Sequence, residues 1–396
     1  MNIAQLREVK VLEEPEQISF VSGGKELTNH GFLHDCRKLV TVFKELGVRR
    51  GDRVIVQMPN CGEVLQSFGA IWRLGAVVVP VNYMMKDDDI ASIYADSGAK
   101  VVISVQDFLP KIQAAQTKAP QVKTVILVND DVPEGTHSFA ALVRHARETQ
   151  DIAETDDDEL AALIYTAGTT GRSKGVMLTH GSLYANSKMS YESTRMPHGM
   201  TNITVLPLCH AYGIAVANSG LFYERTKSVI LNTFDLETIF ASIDQYDAKL
   251  VALVPTMYVF MLMYPNPNKH DLSRVKYWLC GSAPLSQVTW KQFHERFGGK
   301  IYEGWGLSES GASGSANPCD GRKVKVGSIG IPCAGMTMGI MDDERNLLGS
   351  NQSGEIVLQG PSLMKGYWNQ PEETAKVLID GWLHTGDAAR VDDEGF

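Results

Sequence analysis

The chain has 396 residues, 44% of them hydrophobic and 21% charged, the balance of an ordinary globular protein with room for about two or three packing units. A net charge of −9 excludes a general nucleic-acid binder, which carries a basic excess. The opening MNIAQLREVKVLEEPEQ has no apolar signal-peptide core, and no apolar run reaches membrane-spanning length. Six cysteines (Cys36, Cys61, Cys209, Cys280, Cys319, Cys333) are scattered without a C-x-x-C pair, which argues against a disulfide framework or a metal site and makes a reducing, cytoplasmic setting the expectation.

In chain order, Thr28 can cap a helix that carries Phe32, Cys36, Leu39, Val40, Phe43 and Leu46 on one face. The turn Arg50-Gly51-Asp52 leads into a strand over Val54–Met58. Asn60–Leu74 is helical in period, with Val64, Leu65, Phe68 and Ile71 inward. Ala76–Val81 is a continuous apolar run, as in a strand covered on both faces. Asp87–Ser97 reads as a helix, and Val101–Ser104 and Thr124–Val128 as strands. This alternation predicts βαβ units and a mostly parallel sheet. The irregular helix lengths and the lack of a repeat argue against one closed eight-fold barrel.

Glu154–Glu159, ETDDDE, reads as an acidic, solvated connector. The apolar Leu160–Tyr165 then delivers the segment Tyr165–Gly175, YTAGTTGRSKG. Gly168 and Gly171 allow positive φ, so successive N–H groups can point into one concavity. Thr166, Thr169, Thr170 and Ser173 add hydroxyl donors, and Lys174 adds a mobile point charge. This is the chemistry of a polyphosphate cradle, although a loop of this composition is more often only a loop. It is not the common P-loop, whose spacing from its first glycine to the Gly-Lys-Ser/Thr triplet differs.

Strands are then expected at Leu160–Thr166, Thr204–Leu206, Ser228–Leu231, Leu250–Val254, Val275–Cys280 and Lys300–Glu303, and helices at Gly181–Ser193, Asp235–Tyr246, Thr256–Tyr264 and Ser286–Phe297. Beyond about Asn317 helical period disappears. Short glycine-punctuated strands at Gly327–Gly330, Thr337–Met341 and Gly354–Leu358 predict a small β-barrel or sheet. The turn Asp392-Asp393-Glu394-Gly395 should open a further strand, which suggests that the whole protein continues past Phe396.

Several motifs fall at predicted strand ends, where open α/β sheets bind ligands. They are Pro207–Gly213 (PLCHAYG), Gly281–Leu285 (GSAPL), Glu303–Ser310 (EGWGLSES) and Trp382–Asp387 (WLHTGD), with Gly354-Glu355-Ile356 through Gly366-Tyr367-Trp368 as a sixth ordered element beside the hydroxyl-rich loop. Together they resemble the N-terminal domain of adenylate-forming enzymes: acyl-CoA synthetases, aryl-CoA ligases, peptide-synthetase adenylation domains and beetle luciferases. The resemblance covers nearly all the chain. It implies an acetyl-CoA synthetase-like α/β fold. Two α/β subdomains with mostly parallel sheets, about 1–155 and about 156–316, would be followed by a β-barrel-like subdomain at about 317–396. A mobile C-terminal domain would follow in relatives, so this chain alone is expected to bind nucleotide but to activate acid poorly.

The implied reaction is attack of a substrate carboxylate on the α-phosphorus of ATP, giving acyl-AMP and pyrophosphate, then transfer to coenzyme A. The resemblance assigns Thr166, Ala167, Gly168, Thr169, Thr170, Gly171 and Lys174 to the ATP phosphates. Ala167 and Ser173 depart from frequent serine or threonine and proline, but the glycines and the lysine remain. It makes Glu309 the Mg²⁺ ligand, a residue that alone would read as a solvated surface charge, and places Ser308 near the α-phosphate. Trp305 would stack on adenine with its flanking glycines leaving a face open, in place of a core-tryptophan reading. Glu303, Gly304, Ser282, Ala283 and Pro284 would line the adenine, and Asp387 would take the ribose hydroxyls. His210 would orient the acid rather than act as base, since a carboxylate is already ionised near neutrality. The acyl pocket would include His210, Tyr212, Gly213, Val254, Met257, Gly281 and Gly306.

The implied partners are a carboxylic acid, ATP, coenzyme A and Mg²⁺, with no nucleic acid and no membrane span, and with homodimerisation left open. The mostly apolar pocket residues fit a medium- or long-chain fatty acid or an aromatic acid. The stretch Ala211–Val216 carries no aspartate, which disfavours an amino-acid substrate. An adenylation domain that loads a carrier protein and a non-catalytic nucleotide-binding remnant are the alternative readings; pyrophosphate exchange separates the second from an enzyme.

Overall fold

The runs Val54–Val56, Val77–Val79 and Val101–Ile103 have no polar face, so strands built from them must be covered on both sides. The structure is a computed structural model that describes residues 1–166 and 173–396. In it these runs sit at the centre of a seven-stranded sheet. Its order is His137–Ser138, Thr124–Leu127, Val101–Ser104, Arg53–Gln57, Val77–Pro80, Leu160–Thr166 and Lys174–Thr179. All neighbours are parallel except the last two, which pair antiparallel. Val54, Val56, Val78 and Val101 face one core with Phe32, Phe43, Phe68 and Trp72, while Ile55, Val77, Val79 and Val102 face another with Ile90, Tyr94 and Ile112. The helix over Asn29–Glu45 is capped as expected, the Thr28 hydroxyl accepting the Gly31 N–H at 3.0 Å.

A nine-stranded sheet forms the second layer, in the order Ile331–Pro332, Ser315–Ala316, Ile301–Trp305, Tyr277–Cys280, Leu250–Leu253, Thr201–Thr204, Lys227–Ile230, Ile18–Ser22 and Lys25–Thr28. The strands from Ile301–Trp305 to Ile18–Ser22 are parallel, so their C-terminal ends open on one side. The third sheet is antiparallel and runs Thr337–Met341, Ser353–Gln359, Trp382–Arg390, Leu378–Ile379. Its register shifts between Glu355 and Val357, the kind of irregularity that bends a strand. Among the described residues no helix is long and apolar enough to cross a membrane.

Sheet membership does not follow the division by sequence. The strands Leu160–Thr166 and Lys174–Thr179 join the first sheet, where Val78 pairs with Ala162. Ile18–Thr28 joins the second, where Phe20 pairs with Ser228. Parallel pairing has no local turn signal, and the free apolar edge of a sheet decides its neighbour. Gly327–Gly330 is a turn and not a strand, because Gly327 (φ 78°) and Gly330 (φ 92°) both take positive φ. The strand expected at Thr204–Leu206 lies at Thr201–Thr204.

The helix His180–Thr194 opens with a capping box between Thr179 and Ser182, and its first residue is fully buried. His180 Nδ1 accepts the Ile3 N–H at 3.4 Å, and its Nε2 has no partner among the described residues. Burial first, and then the nearby N-terminal ammonium, lowers its pKa to about 4. An unfolded histidine titrates near about 6.5. Below that value the unfolded chain binds a proton that the folded chain resists, so this group's contribution is full above about pH 6.5 and is lost as pH falls through about 4. We expect the urea midpoint to fall between about pH 7 and about pH 5, and to fall less in His180→Gln. An identical pH dependence in the variant would remove His180 from the account.

Candidate active site

The parallel strands of the nine-stranded sheet end together, and the segments that leave them surround a cavity of about 250 Å³. Leu206 and His210 come from the segment after Thr201–Thr204, Gly281 and Ser282 from that after Tyr277–Cys280, and Glu303 to Ser308 from Ile301–Trp305 and its continuation. Ser190, Ser193 and Thr194 close it from the helix His180–Thr194, with Tyr302, Cys319 and Cys333 on further walls. Of the residues expected in a site, His210, Tyr212, Gly281, Ser282, Glu303, Gly304, Trp305, Gly306 and Ser308 all line this cavity.

His210 caps the short helix Ala211–Ala215. Partial desolvation by the cavity holds its pKa below the ordinary histidine value, although its side chain is exposed, and this favours the neutral imidazole. The loop that carries it is set by Asn60, 7% exposed, which follows a strand of the other large sheet. Asn60 Oδ1 accepts the Leu208 N–H at 2.8 Å and Nδ2 donates to Leu206 O at 3.0 Å. Sequence reasoning placed Asn60 only at a helix start.

Trp305 lines the cavity, and its indole N–H donates to Asp387 Oδ2 at 2.9 Å. That bond joins two expected nucleotide residues from two different sheets. The space beside the indole does not come from Gly306, where a Cβ would lie 2.4 Å from Ala312 C; this glycine admits the returning backbone of the next turn. Glu303 is buried and accepts the Gly327 N–H at 3.1 Å, and burial raises its pKa.

Five expected acyl or adenine residues stand elsewhere. Gly213 is buried where a Cβ would lie 1.8 Å from Leu208 O, so it is a close-packing glycine and not a lining residue. Met257 is half-buried against the core that holds Val251 and Leu253 and does not line the cavity. Ala283 and Pro284 are exposed. Val254, half-buried at the N-cap of the helix Pro255–Leu262, does not line the cavity either.

Beside the cavity lies a second cluster. Lys174 opens the strand Lys174–Thr179, paired with Thr166 of the neighbouring strand. Its Nζ lies 2.6 Å from Glu373 Oε2 and 5.1 Å from the centre of the Tyr367 ring. The Tyr367 hydroxyl donates to Glu309 Oε1 at 2.8 Å. The ammonium of Lys174, and then Lys376, holds Glu373 down to about 2. Glu309 sits in the turn Ser308–Ser310, which Asn186 pins by donating to Gly311 O at 2.9 Å. Ala167, Gly168, Thr169, Thr170 and Gly171 lie outside the described residues.

Glu309 Oε2 has no hydrogen-bond partner among the described residues, and they contain no group of three His, Cys, Asp or Glu able to hold a metal. One half-buried carboxylate with a free oxygen fits a hard dication that takes most of its ligands from water and phosphate oxygens. Besides Asn60, sequence reasoning missed Tyr367 and Glu373. The Gly366-Tyr367-Trp368 motif marked the neighbourhood of the first, but nothing local marks a carboxylate in a helix first turn as the partner of a lysine far back in the chain.

Residues 8–368 match the family described as AMP-binding enzyme. The chain is 33% identical to the long-chain-fatty-acid–CoA ligase of Bacillus subtilis, over 96% of this chain and 73% of that protein. It is 32% identical to a feruloyl-CoA synthase of Amycolatopsis, over 96% of this chain and 74% of that one. The ATP-bound structure of MatB from Rhodopseudomonas palustris superposes with a TM-score of 0.91 at 28% identity, over all of this chain and 78% of that one. The chain belongs to the AMP-binding enzyme family, and within it to the acyl-CoA ligases.

Proposed function

We propose that this chain activates a compact, largely apolar carboxylic acid with ATP, as acyl-AMP, for transfer to coenzyme A, and that the cavity at the strand ends holds the acid, with the adenosine at its open side against Trp305 and Asp387. The observation that carries this reading is the placement of that cavity beside the Lys174–Tyr367–Glu309 cluster. An acid in the cavity meets a polyphosphate at the cluster. The volume of about 250 Å³ lies below the range of about 300–1,000 Å³ usual for drug-sized ligands. It favours an aromatic or medium-chain acid over a long chain.

In this reading Trp305 and Asp387 hold the nucleoside, the indole on adenine and the carboxylate on ribose. His210, uncharged, orients the substrate carboxylate and takes no proton from it. Lys174 offers an ammonium to the phosphates while one of its three donors stays on Glu373. Ser308 faces the α-phosphate. Glu309 would hold Mg²⁺, which when bound supplies positive charge to the phosphate oxygens. The negative charge that develops at phosphorus is met by groups already in place, which is where electrostatic catalysis gains most. A panel of acetate, octanoate, palmitate, benzoate and coumarate in a pyrophosphate-release assay tests the acid class. Release with palmitate above that with benzoate, coumarate and octanoate would overturn the compact-acid reading.

Glu309→Gln keeps the shape and removes one charge. We expect pyrophosphate exchange to fall by about 10²–10³, with the thermal midpoint unchanged; exchange at the wild-type rate would remove Glu309 from the metal role. Lys174→Ala should act on the ATP half of the reaction. The KM for ATP rises, while thioester formation from supplied acyl-AMP stays near normal, and equal loss in both halves would refute a phosphate-directed lysine.

A further inference from the structure

We propose that Tyr367 is a positioning residue for nucleotide activation: its ring seats the ammonium of Lys174 and its hydroxyl orients the carboxylate of Glu309, so the two groups are held in one frame. The inference rests on the phosphate and metal roles proposed above for those two residues.

Both ends of the phenol are occupied. The ring centre lies 5.1 Å from Lys174 Nζ, and the hydroxyl donates to Glu309 Oε1 at 2.8 Å. An ammonium over a ring face is attracted by the ring quadrupole. Lysine has a flexible stem, so a ring beneath it and Glu373 beside it restrict where its remaining donors point. Glu309 has no other side-chain hydrogen bond among the described residues, and within that set the phenol is what fixes the carboxylate.

Tyr367 is itself fixed by backbone. It is 7% exposed, its N–H donates to Thr374 Oγ1 at 2.8 Å, and it bridges to Val176. Its neighbours lock the same segment: Lys365 N–H donates to Met177 O at 2.9 Å and Trp368 N–H to Gly175 O at 2.7 Å. Glu309 receives a second tie from this segment, the Met364 N–H donating to its carbonyl at 2.7 Å. The main chain that carries the phenol is therefore held by bonds on both of its neighbours.

The test uses isothermal titration of the whole chain with ATP in EDTA, and with Mg²⁺ at saturating ATP. Wild type, Tyr367→Phe and Tyr367→Leu are compared, with Lys174→Ala and Glu309→Gln as controls. Removing a partner behind a metal ligand commonly costs about 10–100-fold in metal affinity. Tyr367→Phe should therefore weaken Mg²⁺ binding about tenfold or more and leave metal-free ATP affinity unchanged, since the ring remains. Tyr367→Leu should weaken both. A role in packing alone would not separate the two readouts. Wild-type Mg²⁺ affinity in Tyr367→Phe, or equal loss in both readouts for that variant, overturns the proposal. If the control variants also bind Mg²⁺ and ATP normally, the underlying reading of Lys174 and Glu309 falls with it; if they respond and Tyr367→Phe does not, only this inference falls.

Discussion

The arrangement of charged groups beside the cavity depends on one stretch of backbone pairing. Lys174–Thr179 is the outermost strand of the seven-stranded sheet, and its free edge is covered by Lys365–Trp368. Met177 N–H donates to Gly366 O at 3.0 Å, and the reciprocal bond comes from Lys365. An uncovered edge of buried residues such as Val176 would be open to pairing with other chains. Gly366 has φ 143°, and a Cβ there would lie 2.8 Å from Thr374 Cγ2, so the cover fits only with glycine at this position. The same pairing that protects the edge brings Tyr367 between Lys174 and Glu309.

Charge at the site is local and does not follow from the whole molecule. The chain carries a net −9, yet the cluster that would meet a polyanion holds Lys174 at its centre. Glu373 faces that lysine but also binds Lys376, so its negative charge is shared. Side-chain exposures of 14% for Lys174 and 23% for Glu373 place the pair where solvent screening is reduced but not removed. The cavity thiols behave oppositely: burial pushes Cys280, Cys319 and Cys333 upward, Cys319 to about 12, so they are inert wall groups at neutral pH.

The cavity itself follows from strand direction. Parallel strands present all their C-terminal ends on one side, so the loops after Thr204, Cys280 and Trp305 converge although they are far apart in sequence. Asn60 then ties the loop of His210 to the neighbouring layer, and the Trp305–Asp387 bond ties the second sheet to the third. Each sheet thus contributes at least one residue to the surroundings of one cavity.

The sequence by itself determined the α/β class, the doubly covered strands, the capped helix after Thr28 and the motifs that line the cavity. These rest on short-range physics: apolar period, caps and turn-forming residues act within a few positions of themselves. His210, Gly281, Glu303, Trp305 and Ser308 were legible because they follow strands whose apolar runs are plain. Tertiary structure alone decided that Ile18–Thr28 and the strands Leu160–Thr166 and Lys174–Thr179 exchange sheets, that Gly213 and Met257 do not line the cavity, and that Tyr367 and Glu373 meet Lys174. The physical reason is the same in each case. A parallel neighbour, a close backbone approach or an ion pair across 199 positions is selected by which surface remains open after packing, and no local pattern in the chain encodes it.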